Sequence, residues 1–269
     1  MAEGVEILAE PGSTHEGRPE WMLDLIDLAK RSGCDTMKWQ FLSSAARLCE
    51  RRGAPGYFNA YRLIEGTPEL WAMLVRETHA RGLRAVATVY LPEDVAPIAD
   101  VGVDAIKVAS FEAGDGVLLH RAARTGIPLM ISTGMMEQTE VDTLLTRVQP
   151  ETLFHCCSKY DPPPLPEALN LRVLRQWDRV FRHHRLGWSD HSADYEIGGI
   201  AVGYGAQALE VHMRHPETPA TNADYTAALA PAQLAEYVRI ARKADVAGGD
   251  GVKRVQEVER AMQKYKVRP

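Results

Sequence analysis

The sequence is short of cysteine, with four in 269 residues. Cys34, Cys49, Cys156 and Cys157 form no C-x-x-C pair, and the adjacent Cys156 and Cys157 would point to opposite faces of an extended chain. Neither a zinc knuckle nor a disulfide framework is expected, and reduced thiols fit a cytoplasmic location. Long apolar runs are missing too, which excludes a membrane-spanning helix of about 20 residues. The stretch from Met1 to Glu10 is too short and too charged to read as a signal peptide. No sign of charge is concentrated: 31 Lys and Arg stand against 36 Asp and Glu, a net charge of −5, scattered along the chain. That disfavours nucleic acid and anionic membrane as partners. No G-x-G-x-x-G follows the first apolar run, so a dinucleotide-binding sheet lacks its fingerprint.

What the sequence does have is a cadence. Short apolar runs at Val5–Glu10, Thr36–Phe41, Arg84–Tyr90, Ala105–Ser110, Pro128–Thr133, Thr152–Cys157, Leu186–Asp190 and Ala208–Met213 read as buried parallel strands. Amphipathic stretches lie between them: Pro19–Ser32, Pro68–Arg81, Glu93–Asp100, Gly116–Thr125, Glu137–Val148, Leu165–His183, Tyr195–Tyr204 and Pro231–Ala247. Gly33, Gly82 and Gly126 stand where helix C-caps are expected. Eight strands alternating with eight helices predict an α/β protein, a (β/α)8 TIM barrel, ahead of an open doubly wound sheet. The whole of 1–269 is read as one domain, with a last helical segment at Val252–Tyr265 packing on the barrel or on a partner.

A barrel carries its active site at the C-terminal strand ends, and here each of those ends is polar. In strand order they offer Glu10; Lys38 and Gln40; Thr88; Lys107, Ser110 and Glu112; Ser132; His155, Ser158 and Tyr160; Ser189, Asp190 and His191; Glu210 and His212. Side chains two apart on a strand share a face, so Lys38 falls with Gln40, Ser189 with His191, and Glu210 with His212. His191 and His212 are the best candidate metal pair, open enough for Lewis-acid chemistry. The alternative is that each is a hydrogen-bonded barrel residue. Lys38 and Lys107, with Ser110, Ser132 and Ser189, could cradle a phosphate and a carboxylate. Two alternatives stay open: each Lys pairs with Glu10, Glu112 or Glu210, or one forms a Schiff base. His15, His120, His183, His184 and His215 read as structural, and His155 as either supporting the site or filling the barrel.

In this order, the segments resemble a known family. Glu10-Pro-Gly-Ser-Thr-His-Glu-Gly17, Lys38-Trp-Gln40, Lys107-Val-Ala-Ser-Phe-Glu112, Ser132-Thr-Gly-Met135, Phe154-His-Cys-Cys-Ser-Lys-Tyr160, Gly187-Trp-Ser-Asp-His191 and Leu209-Glu-Val-His212 are similar to successive motifs of sialic acid synthases and their legionaminate and pseudaminate relatives. Asp224, with Leu229 and Pro231, extends the likeness. The resemblance implies an enzyme joining phosphoenolpyruvate to an aldehyde acceptor, giving a 2-keto-3-deoxy acid and phosphate. It implies a divalent metal, Mn or Mg, on His191 and His212, and Glu10 acting on water or an acceptor hydroxyl. Phosphoenolpyruvate would be held by Lys38, Thr88, Lys107, Ser110, Ser132 and Ser189, with Ser158 nearby where the family has Asn or a related polar residue. Gln40, Tyr160, Glu210 and Asp224 would face the acceptor.

The departures fall mostly on the acceptor side: Thr14, Asp161, Val211 and Ala228 replace family residues, and the reading expects a barrel without the family's antifreeze-like domain. The expected acceptor is therefore a sugar or nucleoside-derived aldehyde other than N-acetylmannosamine. A homodimer is a candidate assembly. Two other functions remain: a carbon–carbon lyase or aldolase acting on a 2-keto acid, and a binding barrel without catalysis.

Overall fold

The structure is a computed structural model and describes residues 4–267. The first three residues of the N-terminal stretch and the last two of the expected domain lie outside it. In chain order the first half runs β1 (Glu6–Glu10), α1 (Pro19–Ser32), β2 (Thr36–Phe41), α2 (Ala45–Arg52), α3 (Phe58–Leu63), α4 (Pro68–Ala80), β3 (Arg84–Val89), α5 (Val95–Asp100) and β4 (Ala105–Val108). The second half runs α6 (Gly116–Arg124), β5 (Leu129–Ser132), α7 (Gln138–Arg147), β6 (Thr152–Cys156), α8 (Arg172–Val180), β7 (Arg185–Asp190), α9 (Ile197–Gly203), β8 (Ala208–His212) and α10 (Pro231–Gly248). Each strand pairs in parallel with the next, and β1 also pairs with β8, aligning Glu10 with His212, so the eight strands close into a barrel.

Strand alternation sorts the side chains. Odd-numbered positions of β1 and β2 such as Ile7, Ala9, Met37, Trp39 and Phe41 pack outward against the helices in the main core. Helix α1 shows how that shell is built. Pro19 opens it, and Gly33 closes it at φ 85°, a left-handed position where a glycine costs no Cβ clash. Between them Trp21, Met22, Leu25, Ile26, Leu28 and Ala29 are buried.

The barrel interior is layered. At the bottom Glu6 accepts from Thr36 Oγ1 at 2.5 Å and from Arg84 Nη1 at 2.8 Å, and pairs with Arg185. Above it Leu8, Val86, Ala105, Met130, Phe154 and Ala208 form a separate apolar layer. Phe154 fits there because Gly187, on the neighbouring strand, has no Cβ to strike its ring. The polar layer sits on top of this apolar floor.

Three features differ from the sequence reading. Residues 45–63, to which the sequence reading assigned no element, form α2, a short 3-10 turn and α3. The stretch 165–183 is not one helix: a 3-10 turn at Pro166–Ala168 precedes α8, and Asn170 between them has φ 46°, which no continuous helix accommodates. The final segment forms a 3-10 helix at Glu257–Tyr265 that buries no residue of its own.

Candidate active site

The polar layer is an alternating chain of charge. Lys38 Nζ lies 2.8 Å from Glu10 Oε1 and 3.5 Å from Glu210 Oε2, and Lys107 Nζ lies 2.5 Å from the same Glu210 oxygen. All four side chains are at most 4% exposed. Lys38 also donates to Thr88 Oγ1 at 2.9 Å, Ser189 Oγ donates to Glu210 Oε1 at 2.7 Å, and Gln40 Nε2 donates to Glu10 Oε1 at 2.6 Å. Beneath, the Lys107 ammonium stands 4.4 Å from the centre of the Phe154 ring. Two buried ammoniums and two buried carboxylates balance; an unpaired one would cost several kcal/mol.

The proton affinities follow this geometry. Burial would raise the Glu10 carboxyl, but Lys38 and His212 beside it bring it below the usual carboxylate range. Burial likewise opposes ionisation of Glu210, and Lys107 with Lys38 overcomes it, so its pKa falls. The ammonium of Lys38 is disfavoured by burial yet held up by Glu10 and Glu210, leaving its pKa raised. For Lys107 burial prevails over Glu210, and its pKa is lowered.

His191 and His212 stand side by side above Glu210, with ring centres 5.2 Å apart. His191 Nδ1 lies 3.1 Å from the Cys157 carbonyl oxygen. As a donor there it leaves Nε2 free as a lone-pair ligand. Burial, then the neighbouring His212, lowers the His191 pKa to about 3, so the ring is neutral at ordinary pH. His212 Nε2 lies 3.4 Å from Glu10 Oε2, while its Nδ1 is buried without a hydrogen-bond partner. The Tyr160 ring covers both, 4.4 Å from His191 and 5.8 Å from His212 between centres. Two imidazoles, one with an orphaned nitrogen, beside a carboxylate make a donor set that fits a divalent ion. Among the described residues no group of three or more His, Cys, Asp and Glu is arranged to hold a metal by itself.

On the opposite side, Ser110 Oγ accepts from Gly134 N at 3.0 Å and lies 3.1 Å from Cys156 Sγ, which is 3.4 Å from Ser158 Oγ. A Cβ on Gly134 would collide with all three, so glycine lets the two hydroxyls converge. Ser132 Oγ is buried and unpartnered. Asp224 accepts from Ser13 N at 2.7 Å and Ser13 Oγ at 2.6 Å, tying its loop to the one after β1. That approach requires Gly12, whose φ is 54° and whose Cβ would strike the Asp224 carboxylate.

These groups share one cavity of about 1080 Å³. Every residue to which the resemblance gave a role lines it except Thr88, which is fully buried and bonded to Lys38. His155 does not: its Nε2 lies 3.0 Å from the Leu169 carbonyl, and its ring packs on Trp177 and Trp188. Glu112 pairs with Arg52 rather than with a lysine. The sequence reading missed the outer wall, formed by Arg51, Arg52, Tyr57, Tyr61, Tyr90, Phe111 and Asp115. The signal was there. Ser44 caps α2 by accepting from Arg47 N, and Arg51-Arg52 precede a left-handed Gly53.

Among relatives, the chain is 25% identical to the N,N'-diacetyllegionaminic acid synthase of Legionella pneumophila, covering 94% of this chain and 76% of that one. It is 27% identical to the N-acetylneuraminate-9-phosphate synthase of Homo sapiens, over 95% and 74% of the two chains. Its structure superimposes with a TM-score of 0.89 on the N-acetylneuraminic acid synthetase of Leptospira borgpetersenii crystallised with citrate, at 25% identity over 98% of this chain and 91% of that one. The sequence profile of the NeuB family matches residues 25–253, the greater part of the barrel, and the chain belongs to that family.

Proposed function

We propose that the barrel mouth condenses phosphoenolpyruvate with an aldehyde, giving a 2-keto-3-deoxy acid and phosphate, as the relatives' synthase chemistry suggests. The observation that carries this is the buried pair of ammoniums, Lys38 and Lys107, ringed by the hydroxyls of Thr88, Ser132 and Ser189. A substrate with a phosphate and a carboxylate on one carbon matches two cations held close together around Glu210. Ser110 and Ser158, converging at Gly134, add donors for its oxygens.

In the proposed reaction the methylene carbon of phosphoenolpyruvate bonds to the aldehyde carbon, whose oxygen takes a proton. Water adds at the carbon bearing the phosphate, and inorganic phosphate leaves as the ketone forms. Glu10, between Lys38 and His212, is placed to take the water's proton. His191 and His212 would hold a divalent ion, which when bound supplies a Lewis acid for the aldehyde oxygen. Imidazole donors favour Mn over Mg. Gln40, Tyr160 and Asp224 line the side left for the acceptor. The replacements at Thr14, Asp161, Val211 and Ala228 support an acceptor other than N-acetylmannosamine.

Calorimetric titration of phosphoenolpyruvate, with Mn and then with chelator, tests the reading. Saturable binding of phosphoenolpyruvate but not pyruvate is expected, followed by phosphate release with a suitable aldehyde. Absence of binding in both conditions would remove the donor site. The lowered pKa of Lys107 favours one rival, a lyase using that lysine as a Schiff base. Borohydride with pyruvate should then trap an adduct, and the condensing enzyme should give none.

A further inference from the structure

The cavity has an outer lobe that the reaction above leaves unused. Its wall is the α2–α3 insertion on one side and the turn after β4 on the other. Arg52, at the end of α2, spans the two. Its guanidinium carbon lies 5.3 Å from the Tyr61 ring centre, 5.3 Å from that of Tyr90 and 4.8 Å from that of Phe111. Nη1 donates to Tyr61 Oη at 2.8 Å and Nε to Glu112 Oε1 at 2.9 Å, and Nη2 donates to the same oxygen. The guanidinium is thus fixed in orientation as one flat plate among three rings.

Two observations point to a ligand here. Phe111 is 52% exposed and Tyr57 is 60% exposed, both on the cavity wall, where a ligand would cover them. Glu112 is 3% exposed, and while its Oε1 takes Arg52, its Oε2 is buried with no partner at all. A buried orphan acceptor beside two exposed rings, each backed on one side by Arg52 or Tyr61, is half of a recognition site.

The geometry points to a flat nitrogen heterocycle carried by the acceptor, stacked on Phe111 and Tyr57 and donating one ring N–H to Glu112 Oε2. This rests on the reading that an aldehyde acceptor enters the cavity. A polyhydroxylated sugar fits the lobe less well. Each hydroxyl taken from water needs a partner, and the buried polar atoms of this wall, Glu112 Oε2 apart, are engaged with one another. A planar ring needs stacking faces and a single acceptor, which is what the wall offers. Tyr90 lines the same cavity as Glu10 and Glu112, with its ring centre 5.3 Å from the Arg52 guanidinium. A nucleoside-like aldehyde would lie with its ring outside and its reactive carbon toward the lysines.

The test is calorimetric titration of the full chain with uridine and inosine, with their N3- and N1-methylated counterparts, and with N-acetylmannosamine. Uridine or inosine should bind, ring N-methylation should weaken that nucleoside about tenfold by removing the donor, and N-acetylmannosamine should not bind. Phe111→Ala, at an exposed position, should weaken the bound nucleoside about tenfold, with Phe111→Trp restoring it. Failure of both nucleosides to bind, or an unchanged affinity in Phe111→Ala, overturns the inference. So does tighter binding of N-acetylmannosamine. Phosphoenolpyruvate titrated into the same preparation separates the two claims. Binding of it alone sinks the ring subsite and spares the donor site; binding of nucleoside alone does the reverse.

Discussion

At the scale of single residues, Glu210 is the pivot of the site. It receives both lysines and Ser189, although the sequence comparison placed it toward the acceptor. Glu210→Gln should lower stability by ~3 kcal/mol, since it leaves two buried ammoniums with one carboxylate. Inorganic phosphate should raise the melting temperature of the variant more than that of the parent protein, because an anion can take the missing charge's place. Thermal melts with and without phosphate check this; equal gains would show that the lysines do not face an anion site. The pairing of these residues was only partly legible in the sequence. Period-two spacing put Lys38 with Gln40 and Glu210 with His212, but which ion answers which depends on barrel register, a long-range property no local pattern encodes.

Among elements, the strands were the most legible, because buried parallel strands are mostly apolar and glycines mark the helix ends. The α2–α3 insertion was legible only in part. Ser44 and Gly53 bracket α2, but α3 buries none of its residues and so carries no apolar stripe to betray a helix. The outer aromatic wall was missed with it. The contact between α9 and α10 gives a test of packing without chemistry. A Cβ at Gly198 would fall on the Tyr237 ring, and one at Gly199 on Ile240. Gly198→Ala should destabilise the protein by ~1–3 kcal/mol through overpacking. The affinity for phosphoenolpyruvate should be unchanged where the variant is folded. Denaturation midpoints beside calorimetry measure both; a loss of affinity without loss of stability would connect this seam to the site.

For the molecule as a whole, the barrel is plugged by charge at both ends and by hydrocarbon between them. At the lower end Glu6 is buried, which would raise its pKa, but the Thr36 hydrogen bond and then Arg84 and Arg185 hold it below 4.5. A carboxyl depressed in the folded state stabilises above its unfolded pKa and loses that contribution as pH falls through the folded value. Stability should therefore decline below pH about 4.5. Glu6→Gln should flatten that acid limb while costing ~1–3 kcal/mol at neutral pH, the arginines being partly in water. Urea midpoints between neutral and acid pH decide it, and an acid limb of unchanged slope would assign the loss to other groups. The upper end has the more consequential arrangement. Each lysine there already holds an internal counter-ion, so any arriving anion enters an exchange and must outcompete a carboxylate. Monoanions have little advantage in such an exchange; a phosphate dianion does. On the proposed reading, the displacement also alters Glu10. Once Lys38 turns to the substrate, the influence that keeps this carboxyl weakly basic is withdrawn. The group that must accept a proton is thus quiescent in the empty enzyme and is armed by the arrival of the molecule it acts on.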